Sequence, residues 1–252
     1  MNKSGIQNQS KSDKNYKEED QRAILYPPQK KIPPIALLSL GHESWYALKK
    51  ALSSQSIKEK SFSLCEILET PYFSCIGPVI SSPVAVMVLE QMIASGVKNI
   101  IALGCAGSLQ SHLLVGDCLL ATGAISEEGT SSHYLPGEKK PMANPESLDF
   151  LRKILTKENI PFQEGMVWTT DAPYRELVWK VKQYQQASVC AVEMEISALY
   201  TVAQFYSIFL SALVVISDEI FTYQWKRGFH SPAFKQKLSD LSNAIVKELS
   251  RF

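Results

Sequence analysis

From Ile35 to its end the chain alternates short apolar runs with stretches whose apolar residues recur at helical spacing, and this constrains the fold more than any other feature. Short apolar runs bounded by turn formers suit buried strands, and strands interleaved with helices make an α/β domain. "IALLSLG" at 35–41 reads as such a strand, as do residues 73–77, 99–104, 117–124, 165–169, 188–192 and 208–217. The longest run, "IFLSALVVI" at 208–216, is about half what a membrane span needs, so it is expected to be a buried strand. Two helices announce themselves. In "SSPVAVMVLEQMIASG" Ser82 is expected to cap, Pro83 to take the first helical position and Gly96 to end the helix. In "SPAFKQKLSDLSNAIVKEL" the same Ser-Pro device starts a last helix with Phe234, Leu238, Leu241, Ile245 and Leu249 on one apolar face.

At 252 residues, 45% of them hydrophobic, the chain can bury one sizeable core without disulfides. Residues 1–31 are polar and charged with almost no apolar side chain before Ile24, so they are expected to form a disordered tail, with one domain at 32–252. The 26 basic and 25 acidic side chains nearly cancel, which leaves no field to attract nucleic acid or an anionic membrane. A small neutral ligand or a protein surface remains as partner. The five cysteines are widely spaced, with no CxxC pair and no His at ligand spacing; they read as reduced thiols of a cytoplasmic protein without a metal site.

Five segments carry chemistry. "AVEMEISALY" at 191–200 sets Glu193 and Glu195 around Met194 in an otherwise apolar stretch, where a carboxylate needs several hydrogen-bond donors. "NIIALGCAGSL" puts Gly104 and Gly107 directly after a strand, as a tight turn or as bare backbone for a ligand to approach. "EEGTSSHYLP" at 127–136 packs carboxylates, hydroxyls and His133 into one segment, either a functional loop or a solvated one. In "VWTTDAPYRE" at 167–176, Trp168 stacks on a flat ring with Tyr174 or Arg175 at its edge, or Trp168 is core and Asp171 a helix cap, the cap being the favoured reading of Asp171. "VVISDEI" at 214–220 closes a strand with Asp218, whose carboxyl can hold a proton for a leaving group if partly desolvated, or serve as a cap.

In this order and spacing, "GCAGSL", "VGDCLLATGAISEEGTSSHYL", "TTDAPYRE", "VEMEISAL" and "ISDE" resemble the nucleoside phosphorylase and nucleosidase superfamily, from about Ile35 to the last helix. The resemblance implies a central mixed, partly barrel-like sheet flanked by helices, a homo-oligomer, and an enzyme that cleaves the N-glycosidic bond of a small nucleoside. It further implies that Glu195 accepts hydrogen bonds from the ribose 2′ and 3′ hydroxyls, with Met194 and Gly107 in the same binding set and Glu193 in support. Asp218 would donate to a purine leaving group, and Trp168, Tyr174 and Arg175 would contact the base. Cleavage leaves positive charge on the ribose and negative charge on the departing base, which calls for an anion near one and a proton donor near the other.

The chain departs from the phosphorolytic pattern. Such enzymes hold phosphate with a Gly-Asp-Pro segment and Arg near the first strand and an Arg before the Gly-rich loop; here stand "LSLGHESWYAL" and Ala102, and no arginine lies between Glu43 and Ala102. Losing one partner of a close charged pair typically costs about 2–5 kcal/mol. Similar nucleosidases orient water with a glutamate near the end of the first strand, a place Glu43 fills, with His42 as second candidate. The expectation is therefore a pentosyltransferase or an N-ribosyl hydrolase, with phosphate as a possible co-substrate, no cofactor, and the base, purine or pyrimidine, left open. The alternative is a catalytically inactive nucleoside-binding or sensor protein.

Overall fold

A computed structural model describes residues 23–62 and 64–251; most of the expected tail lies outside the described residues. Ten strands form one mixed sheet: β1 (Ile35–Leu40), β2 (Lys58–Phe62), β3 (Cys65–Glu69), β4 (Ser74–Val79), β5 (Asn99–Ser108), β6 (Cys118–Ser126), β7 (Gln163–Thr169), β8 (Ala191–Glu193), β9 (Phe209–Glu219) and β10 (Lys226–Arg227). Six helices accompany them: α1 (His42–Ala51), α2 (Ser82–Ala94), α3 (Pro145–Lys157), α4 (Val178–Gln186), α5 (Ile196–Phe205) and α6 (Pro232–Leu249). The strand order is β10-β9-β6-β7-β8-β5-β1-β4-β3-β2, and a further pairing of β9 with β5 closes β9, β6, β7, β8 and β5 into a five-stranded ring. The sheet is thus central, mixed and partly barrel-like. Among the described residues, no helix is long and apolar enough to cross a membrane.

β9 holds the ring together because it is apolar from Ala212 to Ile216 and pairs on two sides, parallel to β5 and antiparallel to β6. Leu210 and Ala212 through Ile216 are all buried, as expected of a strand covered on both faces. α6 starts as its sequence predicts: the Ser231 hydroxyl oxygen accepts from the Phe234 N–H at 3.1 Å, and Phe234, Leu238, Leu241, Ile245 and Leu249 are buried. α6 packs on α1, α3 and β9, while α2 packs on α5.

Two elements differ from their sequence signals. Ser82 does not cap α2; its hydroxyl donates to the Met194 carbonyl at 2.7 Å, and the cap position falls to Ser81. The hairpin of β2 and β3 has no apolar alternation to reveal it, since "KEKSF" is exposed up to Phe62. Its ladder is carried by backbone and by ion pairs such as Lys60 to Glu69 at 2.8 Å, a charged edge that discourages pairing with other chains. The residues just before the expected domain start are already anchored, since the Lys30 N–H donates to the Ser95 hydroxyl at 3.0 Å.

Candidate active site

A cavity of about 560 Å³ opens beside the carboxyl ends of β1, β5 and β9 and the end of β8, where α/β sheets commonly take ligands. Its lining includes Glu43, Gly107, Tyr174, Met194, Glu195 and Asp218, so six of the eight residues expected from the sequence meet in one place. The other two do not reach it. Trp168 is fully buried, its ring 4.5 Å from that of Tyr184, because it faces a small separate core with Leu109, Val181 and Ile220. Arg175 is exposed on a 3-10 turn, Pro173–Arg175, and lies outside the lining.

Glu195 stands where β8 passes into α5 and is 7% exposed. One oxygen accepts from the Ser81 N–H at 2.6 Å. Ser81 delivers that N–H with φ 77 and ψ 147, close to a region occupied almost solely by glycine, so backbone strain of about 1–3 kcal/mol is held at this contact. Glu193 does different work: its carboxylate accepts from the N–H groups of Glu195 (2.6 Å) and Ile196 (2.7 Å) and from the Thr169 hydroxyl. It satisfies the otherwise orphaned amides at the start of α5 and fixes the turn that aims Glu195. Burial pushes both carboxyls up; the charge of Glu195 adds to the rise at Glu193, while the Ser81 amide opposes it at Glu195.

Asp218 ends β9 at an irregularity where Ala106 faces Ile216 and Gly107 faces Asp218, so that Ser217 is skipped. One Asp218 oxygen accepts from the Ser217 hydroxyl at 2.6 Å and the other from the Trp225 indole N–H at 2.8 Å. Gly107 makes room for this carboxyl: a Cβ there would sit 3.1 Å from Asp218 Oδ2 and 3.3 Å from Val192 Cγ1. Gly107→Ala is therefore expected to fold but to displace Asp218 by a few tenths of an ångström. Misplaced catalytic groups lose rate steeply, so turnover is expected to drop roughly tenfold with little change in melting temperature, as steady-state kinetics beside a thermal melt would reveal.

Glu43 sits exposed in the first turn of α1, beside His42, at the cavity rim. Gly41 before it has φ 93, a conformation that favours glycine and turns the chain from β1 into α1. Cys105 also lines the cavity, but burial, reinforced by the charge of Glu43, pushes its thiol up to about 12, which rules it out as a nucleophile at neutral pH. Among the described residues no lysine or arginine lines the cavity, and no group of three His, Cys, Asp or Glu is placed to hold a metal ion.

Several lining residues escaped the sequence reading, among them Tyr223, Trp225 and Glu176. Glu176, just after the 3-10 turn, is half-buried, and its carboxyl has no hydrogen-bond partner among the described residues. Burial, and then the charge of Asp218, push it up to about 7. It lies at the end of the quoted "TTDAPYRE", where an acidic side chain next to an arginine looks like ordinary solvated loop.

The remaining polar segments are structural. Asp171 caps no helix; it accepts from the Gly129 N–H at 2.9 Å and ties two loops together. In "EEGTSSHYLP", Glu128 accepts from the hydroxyls of Ser126 (2.7 Å) and Ser197 (2.9 Å) and from the Ser131 N–H (3.0 Å). Burial pushes its carboxyl up, but these bonds outweigh it and hold Glu128 below the usual carboxylate range. His133 is exposed and away from the cavity lining.

Residues 46–250 match the phosphorylase superfamily. Over 134 residues the chain is 35% identical to a DeoD-type purine nucleoside phosphorylase of Brevibacillus brevis, covering 53% of this chain and 57% of the relative. Over 143 residues it is 34% identical to the DeoD-type purine nucleoside phosphorylase of Bacillus mycoides, covering 55% and 60%. The chain thus spans less than two thirds of the length of these curated relatives. In fold it is similar to purine nucleoside phosphorylase from Toxoplasma gondii in complex with immucillin-H, with a TM-score of 0.75, 17% identity, and 92% of this chain and 99% of that one covered. It is also similar to AMP nucleosidase from Bacteroides thetaiotaomicron, with a TM-score of 0.67, 22% identity, and 88% and 91% covered.

Proposed function

Because the chain belongs to the phosphorylase superfamily, we propose that its cavity takes a nucleoside and that the chain cleaves the bond between base and ribose. The observation that carries this reading is the presence, in one cavity, of a buried carboxyl at Glu195 and a second carboxyl at Asp218, which lies against Gly107. Glu195 accepts hydrogen bonds from the ribose diol and favours the positive charge that develops on the sugar. Asp218 is the group that serves the departing base.

Water is the acceptor this lining favours. Five acidic residues line the cavity (Glu43, Glu176, Glu193, Glu195 and Asp218), with no lysine or arginine among the described residues to offset them. A phosphate dianion entering there meets repulsion where a phosphorylase needs attraction. A neutral water is not repelled, and Glu43 at the rim is the carboxylate that orients it. Assembly as a homo-oligomer and a cytoplasmic location belong to the same reading and rest on family membership.

A second reading, binding without turnover, is favoured by one feature: both Asp218 oxygens already accept from the protein's own Ser217 and Trp225. The test is to incubate the purified chain with purine, pyrimidine and 5′-thio nucleosides, with and without phosphate, and to separate the products by chromatography. Free base with free ribose, independent of phosphate, is expected. Ribose 1-phosphate would overturn the assignment of water, and calorimetric binding without product would put the second reading first.

A further inference from the structure

Three successive amides stand at the start of α5, those of Glu195, Ile196 and Ser197, where a helix offers its N–H groups no partner of its own. The first two donate to one oxygen of Glu193. The third donates to the Thr169 hydroxyl at 2.9 Å, and that hydroxyl donates in turn to the other oxygen of Glu193. A hydroxyl has one proton to give, and with the Ser197 N–H aimed at its oxygen that proton is left for Glu193. Thr169 thus touches both the third amide and the carboxyl that holds the other two.

The sheet places Thr169 for this: it ends β7, lies opposite Glu193 of the parallel β8, and is fully buried. Ser197 is held from its other side, its hydroxyl donating to the buried Glu128 at 2.9 Å, so the segment at 127–136 also reaches this turn. Thr169, Ser197 and Glu128 lie outside the cavity lining, so what they do for a ligand they do through Glu193 and Glu195. Resting on the nucleoside reading of the cavity, we propose that Thr169 is a positioning residue: acting through Glu193, it fixes the first turn of α5 and so holds the Glu195 carboxyl in register with the ribose diol. Without its hydroxyl the Ser197 amide is orphaned and one Glu193 oxygen loses its donor, which frees the carboxyl to turn away from the amides it holds.

The test is a double-mutant cycle: kcat/KM for adenosine, inosine, uridine and 5′-methylthioadenosine in the wild-type chain, Thr169→Val, Glu195→Gln and the double variant, with a thermal melt of each. Valine keeps the outline of threonine and removes the hydroxyl. Thr169→Val is expected to lower kcat/KM roughly tenfold in the wild-type background and by no more than about twofold in Glu195→Gln, because a residue that acts through Glu195 has little left to do once that carboxylate is gone. Thr169→Ser keeps the hydroxyl and is expected to restore turnover to within about threefold of wild type. Losses that multiply in full in the double variant, or a Thr169→Val chain as active as wild type, overturn this role while leaving the nucleoside reading intact. Thr169→Ala lacks the same hydroxyl and takes the place of the valine variant should that one fail to fold. Where nucleosides bind without turnover, the same cycle is read in dissociation constants by calorimetry. Failure of the wild-type chain to bind or cleave any of the four overturns both.

Discussion

Glu195→Ala is expected to lower kcat/KM for nucleoside cleavage by roughly 10²- to 10⁴-fold while leaving the fold intact. The magnitude follows from two ribose hydroxyls donating to one charged acceptor, each bond worth about 1.5–3 kcal/mol, with every 1.36 kcal/mol worth a factor of ten. Unchanged turnover in this variant would remove Glu195 from the sugar site. The same carboxyl gives a signed pH dependence. Because burial raises the Glu195 pKa in the folded chain above its unfolded value of about 4.3, the folded state holds the extra proton between the two values. Stability is therefore expected to fall as pH rises through that window, and Glu195→Gln to flatten the slope. Nucleoside affinity is expected to run the other way and tighten as pH rises, because the diol donates to the ionised form. Urea titrations and nucleoside binding at pH 5 and pH 8 would read both trends, and parallel rather than opposite slopes would contradict the assignment.

Glu193→Ala is expected to cost much more stability than Glu195→Ala. It leaves three donors without their acceptor, the amides of Glu195 and Ile196 and the hydroxyl of Thr169. At about 1 kcal/mol or more each, partly offset by no longer burying a carboxyl, the loss is about 3 kcal/mol. For a chain of this length that corresponds to a melting temperature lower by roughly 6–12 °C. Glu193→Gln keeps an acceptor oxygen for the α5 amides and is expected to recover about half of the loss. A melt of Glu193→Ala within a degree of wild type would mean that water replaces the carboxylate and that Glu193 does not hold the turn.

What was legible in the sequence was what burial writes into it. β1, β5 and β9 announce themselves because both of their faces are covered, and the apolar stripe of α6 because one face is. Gly107, Met194, Glu195 and Asp218 were readable because their segments set polar or bare backbone against apolar strand ends. Three things were not. β2 is a polar edge strand whose pairing is carried by backbone rather than by side-chain pattern. Trp168 stands between apolar and polar neighbours in a segment that suits either core or a base contact, and packing puts it in the core against Tyr184. Glu176 is unusual only through its place in the fold, where it lines the cavity together with Asp218 and Ile220.

The two ends of the cavity are built from different material. Beside Glu195, the fixed points are backbone amides at Ser81, Glu195 and Ile196 and the carboxylates they hold, set at the junction of the closed ring with α2 and α5. Elsewhere in the lining, Tyr174, Glu176, Tyr223 and Trp225 stand on connecting segments outside that ring. Connecting segments accept replacement far more readily than the scaffold that carries them. On the proposed nucleoside reading, descendants of this chain can thus drift from one base to another by exchanging loop side chains, each step leaving the carboxylates at 193–195 in place. Divergence within such a lineage should accumulate at residues 173–179 and 221–229, well before it touches 191–197.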